Sequence, residues 1–168
     1  MKINLYQATV PPCIRALTNL NAILDKAAAH ARARKIEESV LINTRLFPDM
    51  FPLAMQVVVA CDVARGGAAR LACAPVPAYE PKSASFDELI ANTRNAIASL
   101  EALKESQFEG GEDRTITWQT RSSTKNMQGL PYLTTHVLPN LYFHVTTAYD
   151  ILRQSGLELG KMDYLGKT

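Results

Sequence analysis

Cysteine is scarce in this sequence: Cys13, Cys61 and Cys73 are three in number, odd, and without CxxC spacing. That pattern gives no disulfide framework and no paired-thiol motif. Charge of one sign is also lacking. Eighteen Lys and Arg stand against sixteen Asp and Glu, for a net charge of +2, too little for an electrostatic footprint on nucleic acid or on a membrane surface. The densest basic stretch, Arg32-Ala33-Arg34-Lys35, is followed at once by Glu37 and Glu38 and reads as a solvated helix end. Aromatic residues are not interleaved with basic ones, so base stacking on nucleic acid has no support. The longest apolar run, 57–61, is far too short to span a bilayer. The opening Met1-Lys2-Ile3-Asn4 lacks the apolar stretch of a signal peptide. With Cys61 inside an apolar run, as suits a buried free thiol, these features predict the cytoplasm. There is no phosphate-cradling glycine loop, no GxSxG and no HExxH; Gly110-Gly111 reads as a helix stop.

What remains is a chain of 168 residues, 47% apolar and 20% charged, sized for one domain over 1–168 with its own core. Val10, Ile14, Leu17, Leu24, Ala27 and Ala31 recur at helical steps over 3–33. Pro11-Pro12 either starts that helix or kinks a longer one. A short helix over 36–44 precedes Phe47-Pro48. Asp49 is a plausible N-cap for a second main helix over 50–73, with Pro52 in its first turn. That segment is apolar nearly all round, so it is either central or covered by a partner chain. Its Gly66-Gly67-Ala68-Ala69 run lets another helix approach closely.

Residues 74–84, with Pro75, Pro77, Tyr79 and Pro81, read as an extended linker. Ser85-Phe86-Asp87-Glu88 is a capping box opening a third helix over 85–107, striped by Phe86, Ile90, Thr93, Ile97 and Leu100. Alternation over 115–119 predicts a strand that pairs with 124–128, anchored by Trp118. A fourth helix begins near Pro131 or at Pro139 and ends at Ser155-Gly156; Tyr132, Tyr142, Phe143, Tyr149 and Leu152 make its buried side. The tail folds back through Leu159, Tyr164 and Leu165. The whole is an all-α four-helix bundle with a small β-hairpin before its last helix.

The chemistry-bearing segment is His136-x3-Asn140-x3-His144, on one slowly drifting helix face. His136 and His144 lie roughly 12 Å apart along the axis and cannot share one ion. Asn140 and a neighbouring His could meet Gln56 or Asp62 of the second main helix. Asn and Gln are weak ligands for zinc or nickel, so a metal competes here with two other readings. In one, Gln56, Asn140 and His144 satisfy one another's hydrogen bonds. In the other, they line a polar pocket for an organic ligand. Asp62 needs a partner, with Arg15 or Arg70 available. Tyr142 and Tyr149 read as core aromatics, either of which could line a cleft.

Three runs carry a family resemblance: Leu138-Pro139-Asn140-Leu141-Tyr142-Phe143-His144 on to Arg153, the tail Leu159-Gly160-Lys161-Met162-Asp163-Tyr164-Leu165-Gly166, and Phe51-Pro52-Leu53 to Gln56 with Ala60-Cys61-Asp62. They resemble an uncharacterised branch of the DinB/YfiT-like superfamily over essentially the whole chain. The resemblance implies a bacterial four-helix bundle, often dimeric. Its better-studied members resemble metal-dependent thiol transferases and isomerases, with one His on the second helix and an HxxxH pair on the last. Those ligand positions correspond to Gln56, Asn140 and His144, of which only His144 keeps the imidazole.

The expectation is a homodimer, joined through apolar helix surfaces, that binds a small molecule without a tightly held metal. Its pocket residues would be Gln56, Asp62, His136, Asn140, His144 and Tyr149. The alternatives are a metal- and thiol-dependent transferase or isomerase using His144 as its catalytic group, with zinc or nickel as cofactor, and a structural module with no ligand.

Overall fold

A computed structural model describes residues 3–76, 78, 80–120 and 122–166; Pro77 and Tyr79 of the expected linker lie outside the described residues. Helix α1 spans Leu5–Arg34. Asn4 caps it reciprocally with Gln7: the Asn4 Oδ1 accepts from the Gln7 amide at 2.8 Å, and the Gln7 side chain accepts from the Asn4 amide at 3.3 Å. Pro11 and Pro12 do not start this helix; of the two readings the longer helix holds, and it runs through both. Lys35, at φ 55°, ends it in the left-handed region. A short α2, Glu38–Ile42, leads to α3, Leu53–Leu71.

Asp49 does not cap α3. Its N-cap is Pro52, without a side-chain hydrogen bond, because a residue before proline is held extended and the helix can begin only beyond it. Helix α4, Phe86–Glu101, is capped by the Ser85 hydroxyl, which accepts from the Glu88 amide at 3.2 Å. The Glu88 carboxylate reaches one residue further back than a capping box requires, to the Ala84 amide at 2.7 Å. The Phe86 amide is taken instead by Glu38 of α2, at 2.9 Å. Helix α4 is shorter than its stripe suggests, and Gly110-Gly111 is not its stop. The helix ends at Glu101, and a 3₁₀ turn over Glu105–Phe108 comes before the glycines.

Strands β1, Thr115–Gln119, and β2, Thr124–Gln128, form an antiparallel hairpin with Ile116 opposite Met127 and Trp118 opposite Lys125. Ile116 is buried and Trp118 half-buried, so the hairpin packs on the bundle by one face. A short helical turn α5, Gly129–Pro131, runs into a π-helical turn, Tyr132–Val137, and then α6, Leu138–Gln154. The last helix therefore starts before Pro131. Pro139 has no amide to give to the Thr135 carbonyl, and its ring would press on that carbonyl in a regular helix. The wide turn lies just before Pro139. Within it the Thr134 and Thr135 hydroxyls bond back to the carbonyls of Leu130 and Pro131, at 2.9 and 2.7 Å. Helix α7, Lys161–Leu165, closes the chain.

Helices α1, α4, α3 and α6 stand in a ring, each beside the next and α6 again beside α1, with the core between them. Helix α3 is covered by its own chain: Leu53, Val57, Ala60, Ala64, Ala68 and Leu71 are inaccessible to solvent or nearly so, while Met55 and Asp62 stay exposed. Its apolar character therefore does not by itself call for a second copy. Two glycines admit close approaches. A Cβ at Gly67 would lie 2.7 Å from the Val137 side chain, so α3 touches the π turn there. A Cβ at Gly129 would overlap the Gly111 carbonyl. The aromatic side of α6 is less buried than its composition suggests. Leu141, His144, Val145, Ala148, Ile151 and Leu152 hold the buried stripe, and Tyr142 and Phe143 fall off it, 38% and 55% exposed. The tail does fold back: Leu159 is buried, and α7 packs on α1.

Candidate functional site

Helices α3 and α6 bring Gln56 and His144 together, with His144 Nδ1 2.6 Å from Gln56 Oε1. The Gln56 amide nitrogen donates to the Phe51 carbonyl at 3.0 Å. The amide's orientation is thereby fixed, its oxygen accepts, and the proton between the two side chains sits on Nδ1. Burial holds the His144 pKa below its usual 6.5, which keeps the ring neutral near neutral pH. Its Nε2 then carries a lone pair. That nitrogen has no hydrogen-bond partner among the described residues and is not among the fully buried unpaired atoms, so the ring presents an acceptor edge outward. Phe143 packs edge-on against it at 5.3 Å. Asn140, one turn back on α6, is half-buried and makes no side-chain hydrogen bond among the described residues.

The other expected pocket residues lie elsewhere. Asp62 pairs with Arg65 at 2.7 Å and not with Arg15 or Arg70, since three residues along one helix is the nearest place for a partner. The carboxylate is half exposed while Arg65 is buried. Asp62 and His136 share a separate cleft of about 180 Å³ with Val63, Arg70, Trp118, Tyr132 and Val137. There the rings of Tyr132 and His136 stack, and Trp118 lies tilted against both, with centroids 4.8 to 5.3 Å apart. Burial, and then the Arg70 charge, lower the pKa of His136. Tyr149 faces the opposite side, edge-on to Tyr164 of α7 at 6.3 Å.

The HxxxN-xxx-H spacing thus divides between two sites. The π turn and the drift of a helical face carry His136 toward the hairpin and His144 toward α3. No group of three or more His, Cys, Asp or Glu side chains among the described residues is placed to hold a metal ion. Cys13 and Cys61 are buried thiols pushed by burial up to about 12; Cys73 is exposed.

A further cavity is lined in part by Tyr142, one of the two tyrosines expected either in the core or along a cleft. A groove of about 680 Å³ runs between α1, α6 and α7. Gln7, Pro11, Arg15 and Asn19 line it at steps of four along α1.

Bundle, hairpin and an imidazole at the last of the three helix positions define the class: a DinB-like helical bundle. The crystal structure of a DinB family member from Shewanella denitrificans is 41% identical to this chain, covers 98% of it and 93% of its own length, and superposes with a TM-score of 0.90. Residues 5–165 match the domain of unknown function DUF1993. The chain belongs to the DUF1993 family. No protein of curated function matches it.

Proposed function

We propose that this protein binds a small organic molecule against the outward edge of His144, without a tightly held metal, and works as a homodimer in a reducing compartment, the bacterial cytoplasm. The observation that carries this is the 2.6 Å bond between His144 and Gln56. It occupies the carboxamide oxygen standing where a bundle of this kind would place a metal-binding imidazole. One imidazole nitrogen and the Asn140 carboxamide are then left, a donor set that does not fit a tightly bound zinc or nickel ion. The same bond fixes the tautomer, so Nε2 offers a hydrogen-bond acceptor beside the exposed ring of Phe143. A ligand carrying an O–H or N–H donor on an apolar body matches that edge.

The dimer reading rests on Phe47, Phe51, Met55 and Phe143, which are 37% to 63% exposed. Two of them adjoin the pair, Phe51 through its carbonyl and Phe143 as the next residue to His144. Exposed apolar groups of this size mark contact surfaces. Three free thiols suit a reducing compartment.

Metal analysis of protein purified without added ions tests the central claim. The expected content of zinc or nickel is far below one per chain, and one equivalent would overturn it. The double variant Gln56→His, Asn140→His restores three imidazoles and is expected to gain nickel binding. Light scattering tests the dimer, which Phe51→Glu with Phe143→Glu should dissociate. A second reading, thiol-dependent transfer with His144 as general base, is favoured by the same unpartnered Nε2. It requires that His144→Ala abolish turnover of a thiol with an electrophile.

A further inference from the structure

We propose that the groove between α1, α6 and α7 is a binding site for a small organic carboxylate with an apolar body, Arg15 receiving the carboxylate. The site lies across α6 from the His144 edge and does not depend on the reading given above. Its volume, about 680 Å³, is that of a small-molecule pocket. The floor is a strip of α1 that covers roughly 18 Å, from Gln7 to Asn19 at about 1.5 Å per residue. Two prolines give that strip a smooth apolar surface, and Ala16 leaves room at its middle. Val145 of α6 and Leu165 of α7 add apolar wall.

The polar lining consists of two carboxamides, Gln7 and Asn19, two phenols, Tyr142 and Tyr164, and one guanidinium. Among the described residues Arg15 is the only charged side chain lining the groove, and none of them brings a carboxylate to it. Its Nε donates to the Leu165 carbonyl at 3.0 Å. The two terminal guanidinium nitrogens have no partner among the described residues, which leaves free the edge that binds a carboxylate in a fork. The nearest acid of α7, Asp163, is already held by Lys26 at 2.5 Å. Tyr142 also lines the groove, and burial raises its pKa, so its hydroxyl keeps its proton and can donate.

Helix α7 roofs the groove without filling it. It is clasped at Tyr164 and Leu165 by Asn19 and Arg15 of α1, and the Thr146 hydroxyl of α6 reaches the Tyr164 hydroxyl at 3.2 Å. An exposed cation with unused donors, beside the apolar wall of Pro11, Pro12, Ala16, Val145 and Leu165, selects an anion with a hydrocarbon body. It selects neither a cation nor a fully polar metabolite.

Calorimetric titration of the full-length protein with octanoate and with octanamide tests this. Octanoate is expected to bind saturably in the micromolar to millimolar range, and octanamide at least about tenfold more weakly, the loss of a charge-assisted contact. Arg15→Gln should reduce octanoate to the affinity of the amide. Lys26→Ala, which removes the tie to Asp163 of α7 from outside the groove and leaves the guanidinium alone, should keep octanoate binding, as should His144→Gln. Ala16→Trp fills the trough and should abolish binding of both probes. Should that variant misfold by circular dichroism, the amide comparison and Arg15→Gln still decide. Equal affinity for the acid and the amide, no saturable octanoate binding, or equal losses in Lys26→Ala and Arg15→Gln would each overturn the proposal.

Discussion

Replacing Gln56 by Leu removes the acceptor for His144 Nδ1–H and the donor to the Phe51 carbonyl, two bonds of 2.6 and 3.0 Å in a buried setting. Leu nearly preserves the side-chain volume, so cavity formation contributes little. Each bond contributes about 1 kcal/mol net, and each orphaned buried partner costs about 1–3 kcal/mol. The expected loss is about 3 kcal/mol. For a chain of this length, that lowers the melting temperature by about 6–12 °C. His144→Leu should cost a similar amount, because it orphans Gln56 Oε1. The double variant has no orphan at the shared bond, so its loss should fall short of the sum by about 1–2 kcal/mol. Chemical denaturation of the four proteins measures this coupling. Additivity within about 0.5 kcal/mol would refute the claim that the two side chains satisfy each other. Nitrogen-15 spectra of the imidazoles offer a second check: His144 should carry its proton on Nδ1 near neutral pH, and the opposite tautomer would contradict the geometry.

His136 and His144 both have pKa values below the ordinary 6.5, chiefly through burial. As pH falls, the unfolded chain therefore takes up protons first, so stability is complete above about pH 6.5 and is lost as pH drops toward the folded values. Urea titrations should show this decline, and His136→Gln with His144→Gln should flatten it. Gly67→Ala places a methyl 2.7 Å from Val137; it should destabilise by about 1–3 kcal/mol, and Val137→Ala should recover most of the loss in thermal melts. A thiol reagent should modify one cysteine of three in the native protein, Cys73. Cys13 and Cys61, buried with pKa values near 12, should react only after unfolding. Trp118→Ala removes the ring that packs tilted against Tyr132 and His136 and should cost about 2–3 kcal/mol, read as a lowered melting temperature.

Local rules made much of this fold legible. Apolar residues at steps of three and four, a serine ahead of Asp-Glu and five residues of alternation each encode an element through bonds made within a few positions. The helices, the cap at Ser85 and both strand ranges could therefore be read from the chain. Misreadings fell where two local signals competed. Asp49 looked like a cap, but Pro52 forbade a helix before it, and the stripe past Glu101 outran its helix. Within the candidate site, the pairing of Gln56 with His144 was one of three readings open at that stage.

The sequence alone determined an all-helical chain with one short hairpin, and an imidazole beside carboxamides where metal ligands would be expected, because residue identity sets donor chemistry wherever the side chains come to lie. Tertiary structure decided which of those groups meet. It sent His136 to the hairpin and His144 to α3, gave Asp62 to Arg65, covered α3 with its own chain, and left a groove between α1, α6 and α7. Contacts between helices far apart in the chain depend on how the faces drift, where a proline widens a turn and where a glycine lets two backbones close in, and none of that is written in any single segment.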